Sequence, residues 1–167
     1  MKAEALRRLL ALKTVKRQGW TRFPIPEVES VADHSYGVAL LAYLLCPEEL
    51  DRARVLETAL LHDLAEVATG DITPYDGVPS EKKNRDEIEA LAGLLSPLGR
   101  GPEELEMLCD YQQQRTPEAR FVKAIDKLEM SLQSQIYQAE HGHDLSEFRA
   151  SALQALEKAG LSHWVEP

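Results

Sequence analysis

Cysteine is scarce in this sequence. Cys46 and Cys109 are the two present, each in an apolar helical pattern and without the spacing of a ligand pair. A disulfide framework and a cysteine-built zinc site are therefore excluded, and both thiols read as reduced core residues. Long hydrophobic runs are missing too. The longest purely apolar stretch, Val38 to Cys46, is too short to cross a bilayer, so no membrane association is expected. The opening MKAEALRRLLALK is interrupted by charge and lacks a signal-peptide core and cleavage site, and a cytoplasmic location is expected from it. Basic charge is also in deficit, with 19 Lys+Arg against 28 Asp+Glu and a net charge of −9. A nucleic acid polymer needs a broad basic face and is not an expected partner. A small phosphorylated ligand is not excluded, because a metal ion and a few local cations can outweigh the global field. No segment alternates like a strand, and no repeat, low-complexity tract or long linker is present.

What is present is helical period over nearly the whole length of 167 residues, a size that suits one core. The reading is an all-α, single-domain bundle spanning residues 1–167. A first helix is expected from Lys2 to Arg17, followed by the irregular GWTRFPIPEVE. Ser30 is expected to cap the next helix, with Asp33 completing a capping box. That helix carries His34, Val38, Leu41 and Leu45 on one side. A continuous helix is expected from Arg52 to Thr69, stopped by Gly70 at C′. Further helices are expected over Ser80–Leu95, from Pro102, from Thr116-Pro117-Glu118 to about Glu140, and over Ser146–Lys158.

The chemistry lies where these apolar stripes are interrupted. On the helix after Arg52, Val55, Ala59, His62 and Glu66 form one stripe, and Leu56, Leu60, Asp63 and Val67 form its neighbour. An apolar face thus runs into an imidazole and two carboxylates, which is unfavourable unless something compensates. His34 lies on the apolar stripe of its own helix. Asp126 shares a face with Val122, Ile125, Glu129 and Leu132. Two imidazoles and two carboxylates from three helices match a mixed nitrogen and oxygen ligand set for one divalent ion, with positions left open for water and substrate. Such a set accepts manganese or cobalt, which are favoured here, and also zinc, iron, nickel or magnesium. Glu66 shares a face with His62 and can reach a water activated at that centre. His141 and His143 form an HxH without a third ligand nearby and read as surface residues. Lys82, Lys83 and Arg85 follow the loop DITPYDGVP and are able to add positive potential there, but a charged run such as KKNRDEIE reads first as a solvated face.

The order His, His-Asp, Asp on successive helices resembles the HD superfamily. The stretches ESVADHSYGVALLAYLL, ALLHDLAEVATGDITP and FVKAIDKLEM are similar to the HD-fold 5′-deoxynucleotidases and to the HD-domain-containing protein 2 group, and the likeness runs from about Val15 to Gln138. The resemblance implies an HD-type bundle that hydrolyses deoxyribonucleoside 5′-monophosphates to nucleoside and phosphate. It implies His34, His62, Asp63 and Asp126 as metal ligands. It makes Glu66 the acid that activates the attacking water and Asp71 a second catalytic or substrate-positioning acid. For Asp71 a simple cap of the DITP loop stands as the alternative. Arg17, Trp20 and Thr73 are implied as substrate contacts. The bacterial pattern has Arg directly before Trp, whereas this sequence has Gly19 there. Both Arg17 and Arg22 are therefore candidates for the phosphate, and Arg17 is favoured.

Rival chemistries are separable on the same residues. Guanosine-tetraphosphate hydrolases resemble HDxxED here, but Val67 stands in place of the second acid. Binuclear HD phosphodiesterases use extra histidines, and no histidine occurs between His62 and His141. An HD-fold nucleotide sensor, or a hydrolase of another phosphorylated small molecule, is the alternative. The resemblance further implies a homodimer, with apolar residues of the last helices as a source of contact.

Overall fold

In the computed structural model, residues 2–164 are described, and among them there are helices and no strand. The first expected helix stops early. α1 covers Lys2–Leu9, the chain tightens into a 3₁₀ helix over Leu10–Thr14, and Val15 turns extended. The cause is tertiary. Val31 N donates to Val15 O at 2.8 Å and Arg17 N donates to Glu29 O at 3.1 Å, around an isolated antiparallel bridge between Lys16 and Ser30. Backbone pairing with a segment a dozen residues on thus replaces the last helical turn. It also lays Arg17 beside the start of the next long helix. A single helical turn, α2 (Gln18–Thr21), interrupts the stretch expected to be irregular.

α3 spans Val31–Leu45 and opens with the expected capping box. Ser30 Oγ accepts from Asp33 N at 3.1 Å, and the Asp33 carboxylate accepts from Ser30 N at 2.8 Å. A cap of this kind contributes about 1 kcal/mol. The buried side of α3 holds Val31, His34, Val38 and Ala42. Its opposite side exposes Tyr36, Leu40, Tyr43 and Leu44, while the last two helices and the turn after them expose Ile136, Leu153 and Trp164.

The helix expected over 52–69 is two helices. α4 ends at Leu61, and α5 begins at Glu66 and ends at Thr69. Between them the bonds shorten by one residue, with Leu64 N on Leu61 O at 3.1 Å and Glu66 N on Asp63 O at 3.0 Å. The imidazole of His62 takes the Ala59 carbonyl through Nδ1 at 2.8 Å, and that carbonyl is the acceptor a continuing helix would offer to Asp63 N–H. Gly70 closes α5 with φ 74° and ψ 169°, outside the left-handed helical conformation of the expected C′ cap but in a positive-φ region that glycine adopts without penalty. α6 (Ser80–Leu95), α7 (Pro102–Gln113), α8 (Pro117–His141) and α9 (Ser146–Lys158) agree closely with the expected spans. α8 is the central element, packed on α3, α4, α7 and α9. It buries Val122, Ile125 and Leu128, and between them Asp126.

Candidate metal centre

Three elements meet at one end of the core and present donors to a common point. One ring nitrogen each of His34 and His62 and a carboxylate oxygen of Asp63 all lie within 4.8 Å of one another. Asp63 Oδ2 is 3.2 Å from His62 Nε2 and 3.7 Å from His34 Nε2. Asp126 Oδ1 is 3.3 Å from His34 Nε2. The two imidazoles are fully enclosed, yet neither Nε2 has a hydrogen-bond partner, because the neighbouring carboxylates approach outside bonding geometry. Two orphaned imidazole nitrogens facing two carboxylates are what a divalent cation satisfies, so the donor set fits the ion.

The other ring nitrogens are already committed. His62 Nδ1 bonds the Ala59 carbonyl, and His34 Nδ1 lies 2.5 Å from Glu129 Oε2. Asp126 is oriented likewise: Tyr111 Oη donates to its Oδ2 at 2.9 Å and Lys123 Nζ does so at 2.9 Å, leaving Oδ1 towards His34. Burial opposes ionisation of Asp63, but the charges of His62, His34 and Arg17 hold it well below the usual carboxylate range. Asp126 is also held well below that range, against burial, by Lys123 and Lys127. For His34, burial and Arg17 disfavour the cation, but Asp126 and Glu129 outweigh them and raise it to about 9. The same negative field meets any cation that enters.

Above these donors opens a cavity of about 520 Å³. Asp63, Glu66, Asp71, Arg17, Lys83, Lys123, Asp126 and Lys127 form its polar end, and Trp20, Pro74, Met130 and Phe148 form its apolar side. Glu66 is buried and its Oε2 is unpartnered. Burial, followed by the charges on Asp63 and Asp71, pushes its carboxyl up to about 10, and a cation entering the donor cluster would offset those two charges and favour its ionised form. Asp71 does not cap its own loop. Its Oδ2 accepts from Gln18 N at 2.7 Å and its Oδ1 lies 3.5 Å from Arg17 Nη1, so it ties the Arg17 segment to the site. The DITP loop is capped instead by Asp76, which accepts from Thr73 N at 2.6 Å.

All nine residues singled out in the sequence converge here, with unequal exposure. Arg17 Nη1 is 3.8 Å from Asp63 Oδ2, and the charges of Asp71 and Asp63 hold its guanidinium protonated despite burial. Arg22 stands outside, 3.4 Å over the Tyr75 ring and 3.6 Å from Glu147 Oε1. Trp20 lines the cavity but is only 1% exposed, its indole N–H donating to Glu29 Oε1 at 2.8 Å. Thr73 lines the mouth. Lys83 departs from the solvated face expected of it: Nζ donates to Ile72 O at 2.7 Å and points its charge into the cavity. Sequence reasoning missed Tyr111 and Lys123 altogether. It placed Glu129 on the inward face of α8 without giving it a role.

Fold and donor set together define an HD-type metal-site bundle, and the chain belongs to the HD domain family, whose profile matches residues 9–164. It is 40% identical over 148 residues to the 5′-deoxynucleotidase hdd1 of Schizosaccharomyces pombe, an alignment covering 84% of this chain and 75% of that protein. It is 39% identical over 138 residues to the 5′-deoxynucleotidase HDDC2 of Homo sapiens, covering 80% of this chain but 66% of that one, so about a third of the latter has no counterpart in the alignment. A conserved hypothetical protein from Pyrococcus furiosus superposes with a TM-score of 0.83 at 34% identity, over 97% of this chain and 93% of that one. No helix among the described residues is long and apolar enough to cross a membrane.

Proposed function

We propose that this chain is a metal-dependent 5′-deoxynucleotidase, one HD domain over residues 1–167, acting on deoxyribonucleoside 5′-monophosphates in the cytoplasm. The observation that carries the reading is the pair of buried, partnerless Nε2 atoms of His34 and His62, facing Asp63 and Asp126 at the base of a cation-lined cavity. These four residues would hold one divalent ion, with manganese or cobalt preferred. A bound ion supplies activation of water and neutralisation of phosphate charge.

The chain's own residues do the rest. Arg17, with Lys83 and Lys123, meets the phosphate oxygens, and Asp71 keeps the Arg17 guanidinium in place. With the charges of Asp63 and Asp71 offset, Glu66 is ionised and takes a proton from the attacking water as the water oxygen approaches phosphorus in line; the bond from phosphorus to the 5′ oxygen breaks, and the proton leaves on that oxygen. Trp20 and Thr73 flank the nucleoside on the apolar side of the cavity. Four lysine and arginine side chains gathered at the donors give a local attraction for phosphate that the net charge of −9 conceals.

The test is phosphate release from matched deoxyribo- and ribonucleoside 5′-monophosphates, with 3′-monophosphates and a phosphodiester as controls, after chelation and after adding manganese or cobalt. Release restored by metal and confined to 5′-deoxynucleotides is the expected result. Stoichiometric metal with silence on every monoester overturns the nucleotidase reading, and nucleotide binding without release would turn it towards a sensor.

The same reading includes a homodimer, for which the exposed face of α3 offers more apolar surface than the last helices do. Tyr36, Leu40, Tyr43 and Leu44 recur at helical spacing there, with Tyr36 70% and Leu44 64% exposed. Sedimentation of the chain is expected to give twice its mass of 18.7 kDa, and Leu44→Lys is expected to give the single mass. A dimer that survives Leu44→Lys would move the interface elsewhere.

A further inference from the structure

Both ring nitrogens of His34 face carboxylates of one helix. Asp126 Oδ1 lies 3.3 Å from Nε2, and Glu129 Oε2, one turn further along α8, lies 2.5 Å from Nδ1. The imidazole and the Glu129 carboxylate are both buried. A carboxylate oxygen accepts, so Nδ1 keeps its hydrogen and Nε2 is the nitrogen left to face the cluster. His62 achieves the same orientation within its own helix through the Ala59 carbonyl. His34 has no such carbonyl partner and depends on a side chain from a different helix.

Gly37, one turn after His34 on α3, is the second observation. A Cβ built at this position would lie 2.7 Å from Glu129 Oε1, 3.0 Å from its Cγ and 3.2 Å from its Cδ. Glycine in the middle of a helix is otherwise unfavourable, and no left-handed φ requires it here. The Glu129 side chain cannot simply swing aside, because its other oxygen is held on His34.

We infer that Glu129 is a positioning residue for the metal centre, fixing the tautomer and aim of His34, and that Gly37 is glycine because any side chain there would push Glu129 off the imidazole. Such outer partners of metal-bound histidines govern affinity for the ion by about 10–100-fold. The inference rests on the metal reading of the site but not on any substrate.

The experiment measures the dissociation constant for manganese by chelator competition on the purified full chain, with urea unfolding in excess chelator as the control for folding. Glu129→Ala is expected to weaken binding about 10–100-fold. Glu129→Gln keeps an oxygen to accept the Nδ1 hydrogen and is expected to lose less. Gly37→Ala removes no polar group and suits a helix better, yet it is expected to weaken binding as well. In the double variant Gly37→Ala/Glu129→Ala the loss is expected to equal that of Glu129→Ala alone, since the shortened side chain no longer occupies the space.

If Glu129→Ala does not fold, Gly37→Ala and Glu129→Gln carry the test. Unchanged manganese affinity in Glu129→Ala or in Gly37→Ala overturns the inference, as do additive losses in the double variant. Failure of the unaltered chain to bind manganese overturns the metal reading instead, and inactivity on nucleotides with these affinities as expected overturns only the substrate.

Discussion

Asp63→Asn is expected to leave a folded protein that retains no metal and releases no phosphate. Asp63 Oδ2 is the hub of the cluster, 3.2 Å from His62 Nε2, 3.7 Å from His34 Nε2 and 3.8 Å from Arg17 Nη1. The amide is nearly isosteric but removes the charge that draws a cation between the imidazoles. If it turns its NH₂ inward, it also presents donors where an acceptor is needed. The readout is stability against metal. At a thousandfold excess over its dissociation constant, an ion that binds only the folded state adds about 4 kcal/mol. For a chain of this length that is a rise of roughly 8–16 °C in Tm. The unaltered chain is expected to show the rise, and Asp63→Asn none, with metal content after purification falling in parallel. A variant that keeps stoichiometric metal and full turnover would remove Asp63 from the ligand set.

The second large effect separates catalysis from binding. Glu66→Gln is expected to keep its metal and lose about 10²–10⁴ in turnover, the range a positioned general base contributes. Glu66 is buried, its Oε2 has no partner, and its carboxyl is pushed up to about 10 by burial and by Asp63 and Asp71. Nothing in the fold depends on its charge, so replacing the carboxylate should spare stability and metal content while removing the proton acceptor. Metal content and steady-state phosphate release, measured on one preparation, decide the point. Loss of the ion would make Glu66 a ligand or a support, and undiminished turnover would assign the proton to another group.

The two variants probe residues that the sequence made conspicuous for different reasons. Asp63 stood out because the apolar stripe of its helix ran into charge, and the structure adds how it reaches the site. The helix is interrupted at His62–Ala65, which takes Asp63 out of the register of a regular helix, and its Oδ2 lies 3.2 Å from His62 Nε2. No propensity or period marks that turn, because it is made by the His62 imidazole bonding back to Ala59 O. Arg17 was favoured over Arg22 by resemblance. What separates them physically is the pairing of Val15 and Arg17 with Val31 and Glu29, which puts one arginine beside Asp63 and Asp71 and leaves the other stacked outside on Tyr75. Lys83 was lost in the run KKNRDEIE because a charged helix looks solvated from its own sequence. The carbonyl that turns it inward, Ile72 O, belongs to a loop eleven residues earlier.

The sequence by itself determined the class of fold, most helix boundaries, and the residues able to hold an ion. Caps, prolines and glycines act within a few residues, and an ionisable group on an apolar face is anomalous wherever that face is buried. Only the tertiary structure decided which atoms those residues offer and what holds them. The orphaned Nε2 of His34 depends on Glu129, 95 residues away, and on the missing side chain of Gly37. The free oxygen of Asp126 depends on Tyr111 and Lys123. These are contacts between helices, set by how α3, α4, α7 and α8 pack, and the direction of a lone pair becomes fixed only once that packing exists.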